Sequence, residues 1–136
     1  MPQDAFVWVF IGRIVKDKGI NELVEAFLKI GSKHFLLLVG PFENDQDPIS
    51  HETSLLIESC SNIRTYGFQK DVRPFIKLSD ALVFPSYREG FPNVPMQAAA
   101  MGLPQIVTNI NGCNEIVIQR VTGLIVPPKN SQTLLD

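Results

Sequence analysis

The sequence has little charge, few cysteines and no long apolar run, and each shortage removes a class of protein. Charged residues make up 19% of the 136 positions, and the net charge is −2. No run of one sign and no basic stripe occurs, so the footprint of a nucleic-acid binder is missing. An anionic ligand would have to be met by local groups rather than by a global field. The two cysteines, Cys60 and Cys113, stand in no Cys-x-x-Cys or Cys/His ligand spacing. In a chain with 45% hydrophobic residues, ample for a core, they read as free thiols of a reducing compartment. No apolar stretch reaches the roughly 20 residues of a membrane span, and Met1 to Asp4 carry no secretory pattern. The expectation is one cytoplasmic domain over residues 1–136, which would sit at a membrane through a partner domain.

What is present is an alternation of short β-rich runs and helical patterns, without internal repeats. Phe6–Ile11 is a near-continuous apolar run, as in a strand buried on both faces. Ile20–Ile30 has helical apolar spacing, Phe35–Val39 is the next strand, and Gly40-Pro41 stops it. A helix is expected over Ile49–Cys60, a strand over Ile63–Tyr66, a helix over Val72–Leu78 and a strand over Ala81–Phe84. Asn93 is placed to cap the next helix, with Pro95 in its first turn and Gly102 and Pro104 at its end. Gln105–Thr108 and Gly123–Val126 read as strands, Asn114–Gln119 as a short helix, and Ser131–Asp136 as the start of a further one. Strands and helices alternating in this way predict an α/β fold, a parallel sheet of about six strands with helices on both faces. Ligands of such sheets bind beyond the strand C-termini, which directs attention to residues 12–18, 40–42, 66–71, 85–93 and 108–113.

Two of these loops carry chemistry. Gly12-Arg13-Ile14-Val15-Lys16-Asp17-Lys18-Gly19 follows the first strand and opens the first helix. Gly12 permits a sharp turn, and Gly19 a close approach to the helix start. Arg13 offers a planar fork and Lys18 a mobile point charge, a pair that could converge on one diphosphate or simply form a solvated basic loop. The segment is neither Gly-x-Gly-x-x-Gly nor a P-loop, which argues against a dinucleotide oxidoreductase or an NTPase. The second loop runs from Ser86 through Glu89-Gly90-Phe91-Pro92-Asn93 to Gln97. A helix beginning after Asn93 presents unpaired N–H groups to a phosphate or sugar oxygen. Glu89 would accept from sugar hydroxyls, or would be a solvated loop acid, and Asn93 and Gln97 share a helix face. His34 and His51 are expected away from the ligand edge, in surface or turn roles. Cys113 is expected to be a packing thiol, since nothing basic beside it lowers its pKa. Trp8 and the strand phenylalanines are expected in the core. Glu115 is a ligand contact or merely the start of a helix.

Taken in order, Gly12-Arg13…Lys18-Gly19, Gly67-Phe68, Phe84-Pro85-Ser86…Glu89-Gly90-Phe91-Pro92-Asn93 and Gly123-Leu124…Val126-Pro127-Pro128 resemble glycosyltransferase family 4 over nearly the whole chain. The resemblance implies the C-terminal, Rossmann-like half of a GT-B fold, binding the sugar donor. It implies that Gly12, Arg13 and Lys18 hold the donor diphosphate and that Glu89 contacts the transferred sugar at the reaction centre. Gly90, Phe91, Pro92 and Asn93 would face that sugar, and Gly67, Phe68 and Gln69 would wall the nucleobase. Family chemistry is retaining transfer from a nucleotide sugar without a metal ion, in members that often build cell-surface polysaccharides. The sequence departs from the family at position 97, where Gln97 stands in place of the acid that binds ribose; an amide can still accept and also donate, but carries no charge.

The resemblance further implies an N-terminal acceptor domain outside these 136 residues, an acceptor that is a glycan or a lipid-linked sugar, and peripheral membrane association of the whole enzyme. Two other readings stand beside transfer: a nucleotide-sugar epimerase of GT-B fold, and a non-catalytic sugar-nucleotide-binding subunit, toward which Gln97 leans.

Overall fold

The computed structural model describes residues 4–43, 45–89, 93–129 and 134. Its elements alternate as β1 (Phe6–Ile11), α1 (Ile20–Phe27), β2 (His34–Val39), α2 (His51–Ser59), β3 (Ile63–Gly67), α3 (Arg73–Leu78), β4 (Ala81–Phe84), α4 (Asn93–Ala100), β5 (Gln105–Thr108), α5 (Cys113–Ile116) and β6 (Gly123–Val126). All the strands pair in parallel, in the order β3-β2-β1-β4-β5-β6. Right-handed crossovers then put α1 and α2 on one face and α3, α4 and α5 on the other. This is the expected doubly wound, Rossmann-like sheet of six strands. The central strands are apolar at nearly every position because both of their faces are covered: Val9, Phe10, Leu36, Leu37, Leu38 and Leu82 are all fully buried.

The element ends differ from the sequence pattern for local reasons. The apolar period runs to Ile30, but α1 stops at Phe27: Lys29 and Ile30 bond back to Ala26 and Phe27, three residues earlier, and Gly31 turns at φ +108°. The last turn is therefore tightened rather than α-helical. α2 begins at His51 because Ser50, in extended conformation, caps it by accepting from the Thr53 N–H at 3.1 Å. Asn93 is the first helical residue of α4 and not the cap that was expected. α5 runs from Cys113 only to Ile116, since Val117 is extended (φ −95°, ψ 131°). Lys16–Lys18, read as loop, forms one 3₁₀ turn. The helix expected over Ser131–Asp136 lies outside the described residues except for Leu134, which is helical.

Trp8 is not the core residue that its apolar strand suggests. It is partly buried, and its Nε1 donates to His34 Nδ1 at 3.1 Å. With Leu36, Val83, Ile106 and Leu124 of the sheet, and Phe27 of α1, it lines an apolar cleft of about 320 Å³. Phe6, at the first position of β1, is likewise exposed by 37%.

At the other end of the sheet the strand termini crowd together. Gly12 donates to Val39 at 2.9 Å, and Gly40 donates to Gly67 at 2.8 Å. A Cβ on Gly40, at φ +146°, would lie 1.8 Å from the Gly12 carbonyl oxygen, closer than any side-chain atom can approach. Gly40→Ala is therefore expected to destabilise the fold by at least about 2 kcal/mol through backbone displacement and an unfavourable φ. A lowered urea midpoint with an unchanged slope would register it.

Candidate functional site

The strand order reverses direction between β1 and β4. The chain leaves β1 toward β2 and leaves β4 toward β5, so the loops after them part to opposite faces and leave a crevice between them. The loop after β1 is shaped by backbone bonds from Gly12 to Val39 and from Ile14 to Pro41 (2.8 Å), then by the 3₁₀ turn, which Gly19 ends at φ +76°. Gly19 is required there: a Cβ would lie 2.0 Å from the Pro85 carbonyl oxygen. The close approach expected at Gly19 is thus made by the loop after β4.

That contact joins the two loops. Tyr87 N–H donates to the Asp17 carbonyl at 2.8 Å, and Arg88 Nε donates to Asp17 Oδ2 at 2.9 Å. The Tyr87 hydroxyl donates to the Glu22 carboxylate in the first turn of α1. Burial, and then the Glu22 hydrogen bond, push the Tyr87 phenol well above its usual range, so it remains a donor. The Asp17 N–H in turn donates to Asp47 Oδ2 at 2.8 Å.

At the centre of this joint Lys18 Nζ pairs with Glu89 Oε2, and the two side chains are 15% and 10% exposed. Ser86, fully buried, donates its hydroxyl to the same Oε2 at 2.7 Å. Thr108, at the end of β5, donates to the Ser86 carbonyl at 2.5 Å. Lys18 Nζ also lies 5.6 Å from the centre of the Phe84 ring, an additional attraction for a cation. Cys113 is buried beside this group. Its thiol is pushed up to about 11, first by burial and next by the Glu89 charge, with Lys18 pulling the other way. A protonated, buried thiol is a packing group.

The remaining expected positions spread along the same edge. Arg13 is half exposed, and its Nη1 lies 3.5 Å from Glu43 Oε2 on the loop after β2. The two cations expected to converge therefore face different carboxylates in this conformation. Gly67 ends β3, an edge strand of the sheet. Phe68 beyond it is 75% exposed, and Gln69 turns back to donate to the Tyr66 carbonyl at 2.9 Å. Asn93 and Gln97 lie exposed on α4, and Glu115 is exposed in the first turn of α5. Gly90, Phe91 and Pro92 lie outside the described residues. His34 stands at the far end of the sheet, at the first position of β2. His51 does not lie away from the ligand edge as expected: Ser50 beside it donates to Asn21 in the first turn of α1 at 3.1 Å, which brings the exposed His51 to that end. Among the described residues no group of three His, Cys, Asp or Glu side chains is placed to hold a metal ion. No described helix is long and apolar enough to cross a membrane.

Sequence reasoning missed the supports of this site. Ser86 stood in the expected segment without a role, and Thr108 ended a strand with no sign of its partner, because both act across more than 20 residues or through a buried contact. Asp17 and Tyr87 could have been noted as a polar pair flanking the cations, but their partnership is tertiary.

A doubly wound sheet whose switch point holds a largely buried cation and a carboxylate from opposite loops belongs to the open α/β domains that take their ligands beyond the strand C-termini. Within that class the chain belongs to the group 1 glycosyltransferases: the model of the family described as "Glycosyl transferases group 1" matches residues 5–136. It is similar to the capsular polysaccharide biosynthesis glycosyltransferase CapM of Staphylococcus aureus, 38% identical over 126 residues that cover 90% of this chain and 33% of that protein. The chain thus spans about a third of the length of the curated relatives it matches. Among solved structures it is similar to the C-terminal domain of the group 1 family protein LpcC from Francisella tularensis, with a TM-score of 0.83 and 27% identity over 96% of this chain and 72% of that one. HepE of Anabaena, in complex with UDP-glucose, shares the fold with a TM-score of 0.86 at 24% identity, over 97% of this chain and 37% of that one. The architecture is that of one half of a GT-B fold.

The thiol of Cys113 gives a test of the site's electrostatics. A thiol is uncharged when protonated, so a value raised to about 11 means that the folded chain keeps its proton longer than the unfolded chain. The stability linked to this group is complete below the unfolded value and is lost as pH rises toward the folded one. Between about pH 8 and about pH 10.5, the urea midpoint of the native sequence should fall more than that of Cys113→Ala. Parallel curves would show that burial and the Glu89 charge do not raise the Cys113 thiol in the folded chain.

Proposed function

We propose that this chain is the donor-binding, C-terminal domain of a retaining glycosyltransferase, one that moves a sugar from a nucleotide diphosphate to a glycan or lipid-linked acceptor in cell-surface polysaccharide biosynthesis. The observation that carries this reading is the largely buried Lys18–Glu89 pair at the sheet's switch point. It sets a group suited to phosphate beside a group suited to sugar hydroxyls, as a sugar diphosphate requires. The name of CapM and the UDP-glucose bound by HepE support the substrate class.

On this reading Gly12, Arg13 and Lys18 hold the diphosphate, and Glu89 orients the transferred sugar. Gly90 to Asn93 pass along that sugar, Gln97 meets the ribose, and Gly67, Phe68 and Gln69 stand at the base. When the bond from the anomeric carbon to the diphosphate breaks, its electron pair departs with the phosphate oxygen. Arg13 and Lys18 meet the charge as it grows, which is electrostatic stabilisation of the departing group. The reading assigns no metal to this step. The acceptor, and the partner domain that brings it, belong to the N-terminal portion of the whole enzyme, which would work at the membrane surface by peripheral contact.

The whole protein is expected to melt higher in the presence of one series among UDP, GDP and ADP or their sugars. A ligand at a hundred times its Kd adds roughly 2.7 kcal/mol, and Lys18→Ala should weaken that binding about tenfold or more. No shift with any of the three series would overturn the reading. The 136 residues alone are expected to show no turnover, and robust sugar transfer by them in the absence of a second domain would overturn the division of labour.

A further inference from the structure

The reading above leaves Ser86 without a task, yet its position is unusual. It is a fully buried hydroxyl whose nearest acceptor is a carboxylate oxygen at 2.7 Å, with the Arg88 carbonyl at 2.9 Å and the Asp17 carbonyl at 3.4 Å around it. Its own carbonyl is fixed by Thr108 from β5. A lone hydroxyl surrounded by acceptors has one proton to give, and the charged acceptor is the strongest of the three. The oxygen it reaches, Glu89 Oε2, is also the one that Lys18 pairs with.

These two partners of Oε2 differ in kind. Lys18 sits on a flexible stem, and its charge is sought by any diphosphate at the site. Ser86 sits on backbone fixed by the sheet and has no such competitor. When a diphosphate draws on Lys18, the carboxylate loses part of one support and keeps the other. We propose that Ser86 is a positioning residue for Glu89: its hydroxyl, anchored through Thr108, holds the carboxylate in place while the donor diphosphate takes up the charge of Lys18. This rests on the assignment of Lys18 to the diphosphate and Glu89 to the sugar. It adds a division of labour in which one contact is exchanged on donor binding and the other persists.

The experiment is a double-mutant cycle on the whole protein, with the donor that it turns over. Ser86→Ala should lower kcat roughly ten- to a hundredfold, the effect of one hydrogen bond to a charged group. The KM for the donor and the affinity for the nucleoside diphosphate alone should stay within about twofold, since Ser86 does not meet the diphosphate. In a Glu89→Gln background the same substitution should cost less than about twofold more, because the carboxylate it serves is gone. Ser86→Cys, close in size and a weak donor, carries the same comparison where the alanine variant does not fold. An unchanged kcat, a loss of equal size in both backgrounds, or a fall in nucleoside diphosphate affinity in step with kcat would each overturn the role. Failure of the native protein to bind UDP, GDP or ADP would instead overturn the site reading on which it rests.

Discussion

The structure around the site depends on one close approach, that of the Pro85 carbonyl to the α-carbon of Gly19. β1 and β4 are neighbours in the sheet, but their loops belong to crossovers that run in opposite directions. Nothing in the sheet itself ties those loops together. Because Gly19 has no side chain, the start of β4's loop can lie on the end of the 3₁₀ turn, and the contacts of Tyr87 and Arg88 with Asp17 and Glu22 follow from that proximity. The Asp17–Arg88 pair is largely exposed, and such pairs add little to stability. The backbone bond from Tyr87 to Asp17 and the buried hydroxyl of Ser86 do more, because they fix where residues 86 to 89 stand relative to Lys18.

A largely buried ion pair in such a place is not explained by stability. Bringing Lys18 and Glu89 out of water costs several kcal/mol per ion before their attraction offsets it, and two apolar side chains could fill the same space. The pair is satisfied with care nonetheless, by a serine hydroxyl, an aromatic ring beneath the cation and a fixed backbone. The same charges reach Cys113, whose thiol is held in its neutral form partly by Glu89. Local rules are set aside where function demands it, and this cluster is where the chain sets them aside.

The sheet was legible because its strands obey simple rules. A continuous apolar run such as Phe6–Ile11, or a four-residue run closed by proline such as Ala81–Phe84, leaves few alternatives in an alternating chain. Helix ends were less so. The apolar period continued through Ile30 although hydrogen bonding tightened three residues earlier, and Asn93 looked like a cap although the helix already includes it. Periodicity reports which side chains face the core, and says nothing about when the backbone changes its bonding. In the site, the residues that carry charge were legible because their types are scarce and their loops fall at strand ends. Their supports were not. Thr108 reads as an ordinary strand end, and its bond to the Ser86 carbonyl exists only once β4 and β5 lie side by side. The resemblance in sequence gave roles to Arg13 and Lys18 together, but could not say that each faces a different carboxylate.

That last point bears on how such a site could favour reaction over mere binding. Arg13 lies near Glu43 and Lys18 pairs with Glu89, so the two cations and the two carboxylates sum to no net charge. A site with two unpaired cations would hold a diphosphate tightly in the ground state, and tight ground-state binding does not speed a chemical step. If the site takes a sugar diphosphate as proposed, each cation would exchange a carboxylate for a phosphate oxygen, which limits the gain on binding. As the bond to such a sugar broke, the phosphate oxygen would acquire more charge while the carboxylates acquired none. The exchange would then become more favourable, and the added attraction would fall on the transition state. Neutralised cations that a growing charge can recruit are therefore a better arrangement for releasing a diphosphate than free ones, provided that the carboxylate left behind by Lys18 has another partner to keep it in place.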